Sequence, residues 1–216
     1  MTLYAIFSDV HGNTRALEHI LRYLRSYSVD GYLQLGDLGV EPLALLDGLP
    51  VRHVFGNWEV SSLPRFPHER QPEVAAWPPF IAGSNWLAAH ATPIFPQECN
   101  TLEATRSYMR QHRLRWTQLF PSLLHDEKAI WAAFAELAQR KLTVAFHGHT
   151  HVQAVQQLGA DNRLRRITDT TIRLEPDTLT LVGVGSAGVP RDGLHPRCVL
   201  FDDVGLELRL LTIPLP

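Results

Sequence analysis

The sequence contains little cysteine and no long apolar run, and each shortage excludes a class of protein. Two cysteines, Cys99 and Cys198, occur in 216 residues, and their separation matches no zinc-binding or redox spacing. We expect them to be core thiols of a protein from a reducing compartment, although one disulfide between them stays open. No apolar run approaches the roughly 18 residues of a membrane span, and no signal-peptide pattern precedes the first predicted strand. The sequence therefore predicts a soluble, cytoplasmic protein with no membrane partner.

The chain also has no excess of charge of either sign. Twenty Lys and Arg stand against 22 Asp and Glu, which gives a formal net charge of -2. This balance provides no electrostatic footprint for nucleic acid or an anionic membrane. Two local basic stretches, 106–115 and 163–166, are the only support for a nuclease, so nucleic acid is not the expected partner. The length favours a single α/β domain over residues 1–216.

What the chain does contain is a series of polar turns that follow short apolar runs. The runs at 3–7, 31–35 and 51–55 are predicted strands, with a helix from about Thr14 and a short helix over 42–47 between them. This alternation is typical of a parallel sheet with crossover helices. Open α/β sheets place their ligand sites at the carboxyl ends of the strands. The residues at these ends are Asp9 and His11, then Asp37, then Asn57.

The rest of the chain divides into a helical part and a strand-rich part. We predict a loop over 61–79 and a hairpin over 81–89 that ends at His90. Helical patterns cover about 101–120 and 125–140, and the arginines of the first are either a solvated face or a lid that offers cations to an anionic substrate. Further strands are predicted at 142–146, 152–157, 163–167, 171–174, 179–184, 198–201 and 206–211.

Seven polar side chains at the strand ends are candidate metal ligands. They offer oxygen and imidazole but no thiolate, which suits Mn, Fe, Co, Ni or Zn better than Ca. Seven ligands are more than one tetrahedral ion needs, and a bridging carboxylate would allow two ions about 3.5–4 Å apart. The candidates are Asp9, His11, Asp37, Asn57, His90, His149 and His151.

The order of these motifs resembles a known family. The blocks D-x-H at 9–11, G-D at 36–37, G-N-x-E at 56–59 and G-H-x-H at 148–151, with His90 between the last two, are similar to those of the calcineurin-like metallophosphoesterases. The segment 183–193 is similar to a glycine-rich block in their small prokaryotic branch, which includes phosphodiesterases. The resemblance implies a four-layer α/β/β/α sandwich in which about 100–140 would be a helical insertion or lid.

The resemblance also implies an activity. The implied enzyme is a two-metal phosphodiesterase that hydrolyses a small organic phosphate or nucleotide through a metal-bridging hydroxide. Manganese is the leading metal, and iron, zinc, cobalt or nickel are alternatives. Asp9, His11 and His151 would hold the first ion, Asn57, His90 and His149 the second, and Asp37 would bridge them. Asn13, Asn57 and Arg191 would contact substrate, although Asn13 and Arg191 are equally readable as turn residues. The implied catalytic set is Asp37, Asn57, Trp58 and Glu59.

One position departs from the family pattern. The family usually has a histidine after the asparagine, and this chain has Trp58. An indole N–H can donate a hydrogen bond but cannot act as a general acid near neutral pH. Glu59, which would orient that histidine, is left without its usual partner. We therefore expect a preference for good leaving groups or phosphodiesters, or a different acid, for which His112 and His125 are candidates.

Other functions stay open at this point. A phosphatase for phosphoprotein or dinucleoside polyphosphate would use the same chemistry, and the second substrate would need a base-stacking residue such as Trp58 or Trp86. A non-catalytic scaffold is another alternative, because the retromer scaffold subunit resembles the same family. Retention of a ligating residue at all seven positions favours an enzyme over a scaffold.

Overall fold

The computed structural model describes residues 2–215, which form two six-stranded mixed sheets. Nearly every predicted apolar run became a strand, because alternate residues of these runs can be buried on opposite faces of a sheet. The strands are β1 (Leu3–Phe7), β2 (Gly31–Leu35), β3 (Val51–Val54), β4 (Phe80–Ala82), β5 (Trp86–Ala89), β6 (Val144–His147), β7 (Gln153–Leu158), β8 (Leu164–Ile167), β9 (Thr171–Arg173), β10 (Leu179–Val184), β11 (Arg197–Asp202) and β12 (Glu207–Thr212).

The two sheets have related topologies. The first has the order β3-β2-β1-β11-β12-β9, and the second β4-β5-β6-β10-β7-β8. In the first, β1, β2 and β3 are parallel, while β11, β12 and β9 continue antiparallel from β1. In the second, β5, β6 and β10 are parallel, with antiparallel β4 on one side and antiparallel β7 and β8 on the other. The carboxyl ends of the parallel strands therefore supply the predicted ligand turns.

The helices are α1 (Thr14–Leu24), α2 (Asn57–Ser62), α3 (Gln71–Ala75), α4 (Leu102–His112), α5 (Trp116–Leu119) and α6 (Glu127–Arg140), with short 3-10 helices at Glu41–Leu46 and Leu63–Arg65. The prediction of a loop over 61–79 was wrong, because this segment holds the end of α2, a 3-10 helix and α3. Two of its five prolines, Pro64 and Pro72, lie in the first turns of the last two helices. Proline is tolerated there, because the first N–H groups of a helix have no partner within it.

Three hydrophobic clusters separate four layers and confirm the α/β/β/α sandwich. Along β1, Ile6 points into the cluster between the two sheets, while Ala5 and Phe7 point into the cluster shared with α1. Along β5, Ala88 belongs to the cluster between the sheets, and Leu87 belongs to the cluster under α6. The period of two along each strand thus divides the apolar side chains between an inner core and an outer helical layer.

The two cysteines are buried and free, as expected for core thiols. Burial raises the pKa of Cys198 to about 12, which keeps this thiol protonated. Within the described chain, none of the helices has both the length and the apolar character needed to cross a membrane.

Candidate metal centre

Three side chains from distant turns meet in the first half of the site. The Nε2 atoms of His11 and His151 lie 3.1 Å apart, although these residues are 140 positions apart in the chain. Asp9 Oδ1 lies 3.3 Å from Nε2 of His151 and 3.7 Å from Nε2 of His11. These three ligand atoms all lie within 4.8 Å of one another, so they could bind one cation together.

Asp37 connects this group to a second one. Its Oδ2 lies 3.6 Å from Nε2 of His11 and 3.6 Å from Nε2 of His90. Ligand atoms of Asp9, Asp37 and His90 also lie within 4.8 Å of one another. His90 Nε2 is 3.1 Å from Oδ1 of Asn57, which places the amide oxygen beside the same group. Asp37 is therefore located where a bridging carboxylate would have to be.

His149 completes the set from the side of the second group. Its ring centroid lies 5.1 Å from that of His90, and its backbone N–H donates a hydrogen bond of 2.9 Å to Oδ2 of Asp9. The same turn therefore positions both a candidate ligand and the Asp9 carboxylate. All seven predicted ligands are thus brought to one end of the two sheets.

The hydrogen bonds behind the imidazoles direct their Nε2 atoms into the site. Nδ1 of His90 lies 2.7 Å from the Leu35 carbonyl, and Nδ1 of His151 lies 2.9 Å from the Val189 carbonyl. Donation by Nδ1 to a carbonyl leaves Nε2 with a free lone pair, the form that binds metals. Lone pairs of imidazole, amide and carboxylate then face each other at short range, an arrangement that a cation stabilises.

One buried oxygen of the candidate site has no hydrogen-bond partner among the described residues. Asp9 is wholly buried, its Oδ2 accepts from His149, and its Oδ1 makes no hydrogen bond with any described residue, although His151 Nε2 is near. Leaving a carboxylate oxygen buried and unpaired is costly unless a cation compensates it. The donor set and this unpaired oxygen together fit a site for divalent cations.

Backbone strain is concentrated in the ligand turns. Five of the seven candidates have a positive φ: 54° at Asp9, 50° at His11, 51° at Asp37, 64° at His149 and 59° at His151. A non-glycine residue in this region costs about 1–3 kcal/mol and tends to be found at functional sites. The turns therefore hold these side chains in one orientation that relaxed loops would not favour.

The electrostatics of the site follow from its burial. Burial raises the pKa of Asp37 to about 6, with the nearby carboxylates of Glu59 and Asp9 acting in the same direction. Burial, followed by the charge of His90, lowers the pKa of His149 to about 3, so this imidazole stays neutral and able to bind a metal. Burial acts to raise the pKa of Asp9, but the imidazoles of His11 and His151 outweigh it and hold that pKa well below its usual range.

Two glycines allow the turns to approach each other. A Cβ on Gly148 would collide with Ser8 and with the Asp9 carboxylate, and a Cβ on Gly56 would collide with Asp37. Only a residue without a side chain fits at these places. The glycines in the G-H-x-H and G-N-x-E motifs are therefore needed for the convergence of the ligands.

The glycine-rich segment 183–193 lies against the first group of ligands. Ser186 Oγ donates a 2.7 Å hydrogen bond to the Asp9 carbonyl, and Gly188 N–H donates a 3.1 Å bond to the same carbonyl. Arg191 N–H donates to the His151 carbonyl at 2.9 Å. This loop therefore fixes the backbone of two ligands and brings Arg191 to the site.

A cavity of about 510 Å³ opens above the candidate ligands. Five candidate ligands line it, namely His11, Asp37, Asn57, His149 and His151, and Arg191 adds a cationic side chain. The segment between α5 and α6 also contributes to the lining. The remaining lining residues are Trp116, Ser122, Leu124, His125, Thr150 and Val152.

Several predicted site residues lie elsewhere. Asn13 caps α1 by accepting from Ala16 N–H at 3.1 Å, and its amide donates to the Gly188 carbonyl at 2.9 Å. Trp58 packs its ring against that of His11, with centroids 4.8 Å apart. Glu59 is wholly buried. None of these three is among the residues described as lining the cavity. Asn57, Asp37 and Arg191 do line it, whereas Trp58 and Glu59 contact the candidate ligands from behind the lining.

The helical insertion serves several purposes. Its α6 packs on the second sheet as one of the four layers. In α4, Arg106 donates a hydrogen bond of 2.9 Å to the Val60 carbonyl. Arg106 and Arg110 both form ion pairs with Glu103. No arginine of α4 appears among the described cavity residues, so the cationic-lid interpretation finds no support in the contacts of this helix.

No sequence pattern indicated that four residues of the segment 116–125 would line a cavity. The signals for Trp116, Ser122 and Leu124 were those of an ordinary helix and its break. His125 was considered because it is a histidine in the insertion, and its place in the cavity supports it over His112, which instead lies against Tyr108 with ring centroids 4.2 Å apart.

Two stacked mixed sheets with histidines and carboxylates at the ends of their parallel strands define a metal-dependent phosphoric ester hydrolase. The chain belongs to the calcineurin-like phosphoesterase superfamily, whose domain model matches residues 1–204. The resemblance found in the motifs is thereby confirmed at the level of family and enzyme class.

Comparisons with individual proteins agree with this assignment. An uncharacterized protein of Methanocaldococcus jannaschii is 23% identical over 226 residues, which cover 98% of this chain and 87% of that protein. The crystal structure of a metallophosphoesterase from Sphaerobacter thermophilus matches with a TM-score of 0.74 at 18% identity, over 100% of this chain and 89% of that one. A novel archaeal phosphodiesterase matches with a TM-score of 0.50 at 13% identity, over 98% and 99% of the two chains. At these identities the two structures show a shared fold.

Proposed function

We propose that the protein is a two-metal phosphodiesterase that acts on a small organic phosphate or nucleotide. The observation that carries this proposal is the meeting of ligand atoms around Asp9 Oδ1. This oxygen is buried and has no hydrogen-bond partner among the described residues, and Asp9 belongs to both three-residue clusters of candidate ligands. A cation beside it would compensate its charge.

The residues divide into two metal-binding groups that share a carboxylate. His11 and His151 with Asp9 would hold one divalent ion, and His90, His149 and Asn57 would hold the other, with Asp37 between them. A pair of such ions, when bound, lowers the pKa of a coordinated water and neutralises charge on phosphoryl oxygens. The donor set suits manganese, iron, cobalt, nickel or zinc, and we propose manganese as the first to test.

The chain's own residues provide the rest of the substrate site. The amide of Asn57 is a neutral ligand, so the site keeps positive charge for an anionic substrate. Arg191 lines the same cavity and is suited to bind phosphate oxygens that do not face the metals. A cavity of about 510 Å³ is within the usual range for small-molecule ligands.

His125 is the proposed proton donor to the leaving oxygen. It lines the cavity together with five of the candidate ligands and lies on the segment between α5 and α6. Histidine is the side chain best suited to this role near neutral pH. Trp58, at the usual position of the family acid, packs on His11 instead. This arrangement favours phosphodiesters and good leaving groups over poor ones.

The test is metal analysis combined with turnover of bis(p-nitrophenyl) phosphate and p-nitrophenyl phosphate. We expect the protein to contain divalent metal and to hydrolyse the diester faster than the monoester, with stimulation by manganese. Turnover should fall about 100-fold or more in Asp37→Ala and in Asp9→Asn. His112→Ala is the matched control, because His112 is a histidine of the insertion that lies outside the cavity wall.

Each contrary result identifies an alternative. Metal binding without turnover of either ester would indicate a scaffold and contradict the proposal. A clear preference for the monoester would instead indicate a phosphatase. Turnover that persists unchanged in Asp37→Ala would show that these residues do not form the catalytic centre.

A further inference from the structure

Trp116 presents an exposed indole to the metal-binding cavity. Its side chain is 47% exposed although it is a large apolar group, and it lines the cavity together with five of the candidate ligands. Its ring centroid lies 5.8 Å from that of His149, with an angle of 78° between the planes. The edge of one ring therefore meets the face of the other, and much of the indole stays available to a ligand.

The position of Trp116 is fixed by the residues that follow it. Leu119 and Phe120 are buried in the core shared with α1. The Phe120 ring packs against His90 at 5.8 Å and against Phe95 at 5.5 Å between centroids. Since α5 is anchored through these side chains to the layer directly behind the ligands, Trp116 is held at a defined distance from them.

Three other tryptophans of the chain have different surroundings. Trp86 is buried between the sheets and packs on Tyr4 and Phe201, which removes it as a base-stacking candidate. Trp58 packs on His11. Trp131 is 45% exposed on α6 but is not among the described cavity residues. Exposure alone therefore does not distinguish Trp116 from Trp131. What distinguishes Trp116 is that it lines the cavity beside the candidate ligands.

We propose that Trp116 is a stacking surface for a planar aromatic group of the substrate, a nucleobase or an aryl ring. This inference rests on the proposed function, because it assumes that the phosphate is bound by the metals and Arg191. With the phosphate held there, the organic group would lie among the other residues that line the cavity. Of these, Leu124 provides an apolar surface beside the ligands, and Trp116 provides the only aromatic carbocycle among the described lining residues.

Stacking on an aromatic side chain is worth enough to be measured. A single base stacked on an aromatic residue contributes about 5- to 150-fold in affinity. It requires no hydrogen-bond pattern, so Trp116 would select for a flat ring and leave the identity of the base open. The substrate class is therefore an organic phosphate with an aromatic group near the phosphorus.

The experiment measures binding, with turnover recorded separately. Calorimetric titration of the manganese-loaded protein compares AMP with ribose 5-phosphate, which differ only in the base, and phenyl phosphate with methyl phosphate. The proteins are wild type, Trp116→Ala, Trp116→Phe and the matched control Trp131→Ala, each checked for folding by circular dichroism.

We expect the wild type to bind the aromatic member of at least one pair about fivefold or more tightly, and Trp116→Ala to remove this preference. Trp116→Phe and Trp131→Ala should keep most of it. A preference for AMP alone assigns a nucleobase, and one for phenyl phosphate alone assigns an aryl group. The inference is overturned if the wild type shows no preference, or if Trp116→Ala leaves it intact, or if Trp131→Ala abolishes it as well.

Failure of the proposed function would be recognised independently. If the protein hydrolyses no ester but its preference for aromatic ligands depends on Trp116, the proposed phosphodiesterase activity is contradicted and the stacking role of Trp116 is supported. Hydrolysis that depends on Asp37, without any effect of Trp116→Ala on binding, would support the enzyme and overturn the role of Trp116.

Discussion

Glu59 and Asp37 are joined through the backbone, since Glu59 Oε2 accepts a hydrogen bond of 2.8 Å from the Asp37 N–H. The same carboxylate accepts from the N–H groups of Leu38 and Gly56, also at 2.8 Å. One buried side chain therefore connects the turn that carries Asp37 with the turn that carries Asn57. Glu59 is a positioning residue, a role that needs no histidine partner.

Glu59→Gln should destabilise the protein by about 2–4 kcal/mol, because an amide nitrogen would replace one acceptor among buried N–H donors. We also expect a loss of about 10- to 100-fold in metal affinity, as is typical when groups that support ligands are removed. Urea denaturation and metal titration would measure the two effects. The exposed Glu69→Gln is the control, and an unfolding free energy within 0.5 kcal/mol of wild type for Glu59→Gln would contradict this role.

Trp58→His should increase turnover of monoesters with poor leaving groups by about tenfold or more, because it restores an imidazole at the position where the family has its acid. The backbone N–H at this position donates to Asp37 Oδ1 at 2.8 Å, a contact that the substitution keeps. Trp58→Phe, which offers no proton, serves as control. Unchanged turnover of a poor-leaving-group monoester would show that the tryptophan does not limit the reaction.

His125→Gln should lower kcat for alkyl esters by about 100-fold, with little change for p-nitrophenyl esters. Only a poor leaving group needs a proton in the transition state, so the effect should grow with the pKa of the leaving alcohol. His112→Gln is the matched control outside the described cavity wall. An equal loss for both kinds of ester would indicate a structural role for His125 and exclude it as the acid.

The stability of the metal-free protein should fall as the pH drops from about 6.5 to 4. Burial, with a further contribution from the charge of Arg70, lowers the pKa of His53 from 6.5 to about 4. Between about pH 6.5 and 4, His53 is therefore protonated in the unfolded chain but neutral in the folded one. The folded state loses stability relative to the unfolded state as the pH falls through this range. His53→Gln should remove up to about 3 kcal/mol of this dependence.

Urea denaturation in the presence of a chelator, at several pH values from 7.5 to 4.5, would measure that effect. The stability of the His53→Gln protein relative to that of wild type should rise as the pH falls through the series. The exposed His68→Gln should run parallel to wild type. A constant difference between His53→Gln and wild type across the series would contradict the assignment.

The elements that the sequence predicted well are those whose burial pattern is local. The bounds of β1, β2 and β10 agree with the apolar runs, because each run supplies side chains to both faces of a sheet. The prediction for the segment 61–79 was wrong because a proline at the start of a helix cannot be told from a proline in a loop by sequence alone.

The ligand set could be listed from the sequence, since a polar residue beside a glycine after a buried strand is a local pattern. Its geometry could not, because His11 and His151 come within 3.1 Å only when turns 140 positions apart meet. Nothing local indicates that five of these residues adopt a positive φ or that Asp9 Oδ1 is left without a hydrogen bond.

By itself, then, the sequence predicted a parallel front half, a strand-rich back half and seven candidate ligands, and its resemblance to a family implied the four layers and the class of chemistry. The tertiary structure alone decided that Glu59 holds two turns together, that Trp58 packs on His11 and that Trp116 faces the cavity. The physical reason is that the first group depends on periodicity and residue type along one segment. The second depends on which segments pack against each other. For this reason the tryptophans of the chain, which are chemically identical, have quite different surroundings.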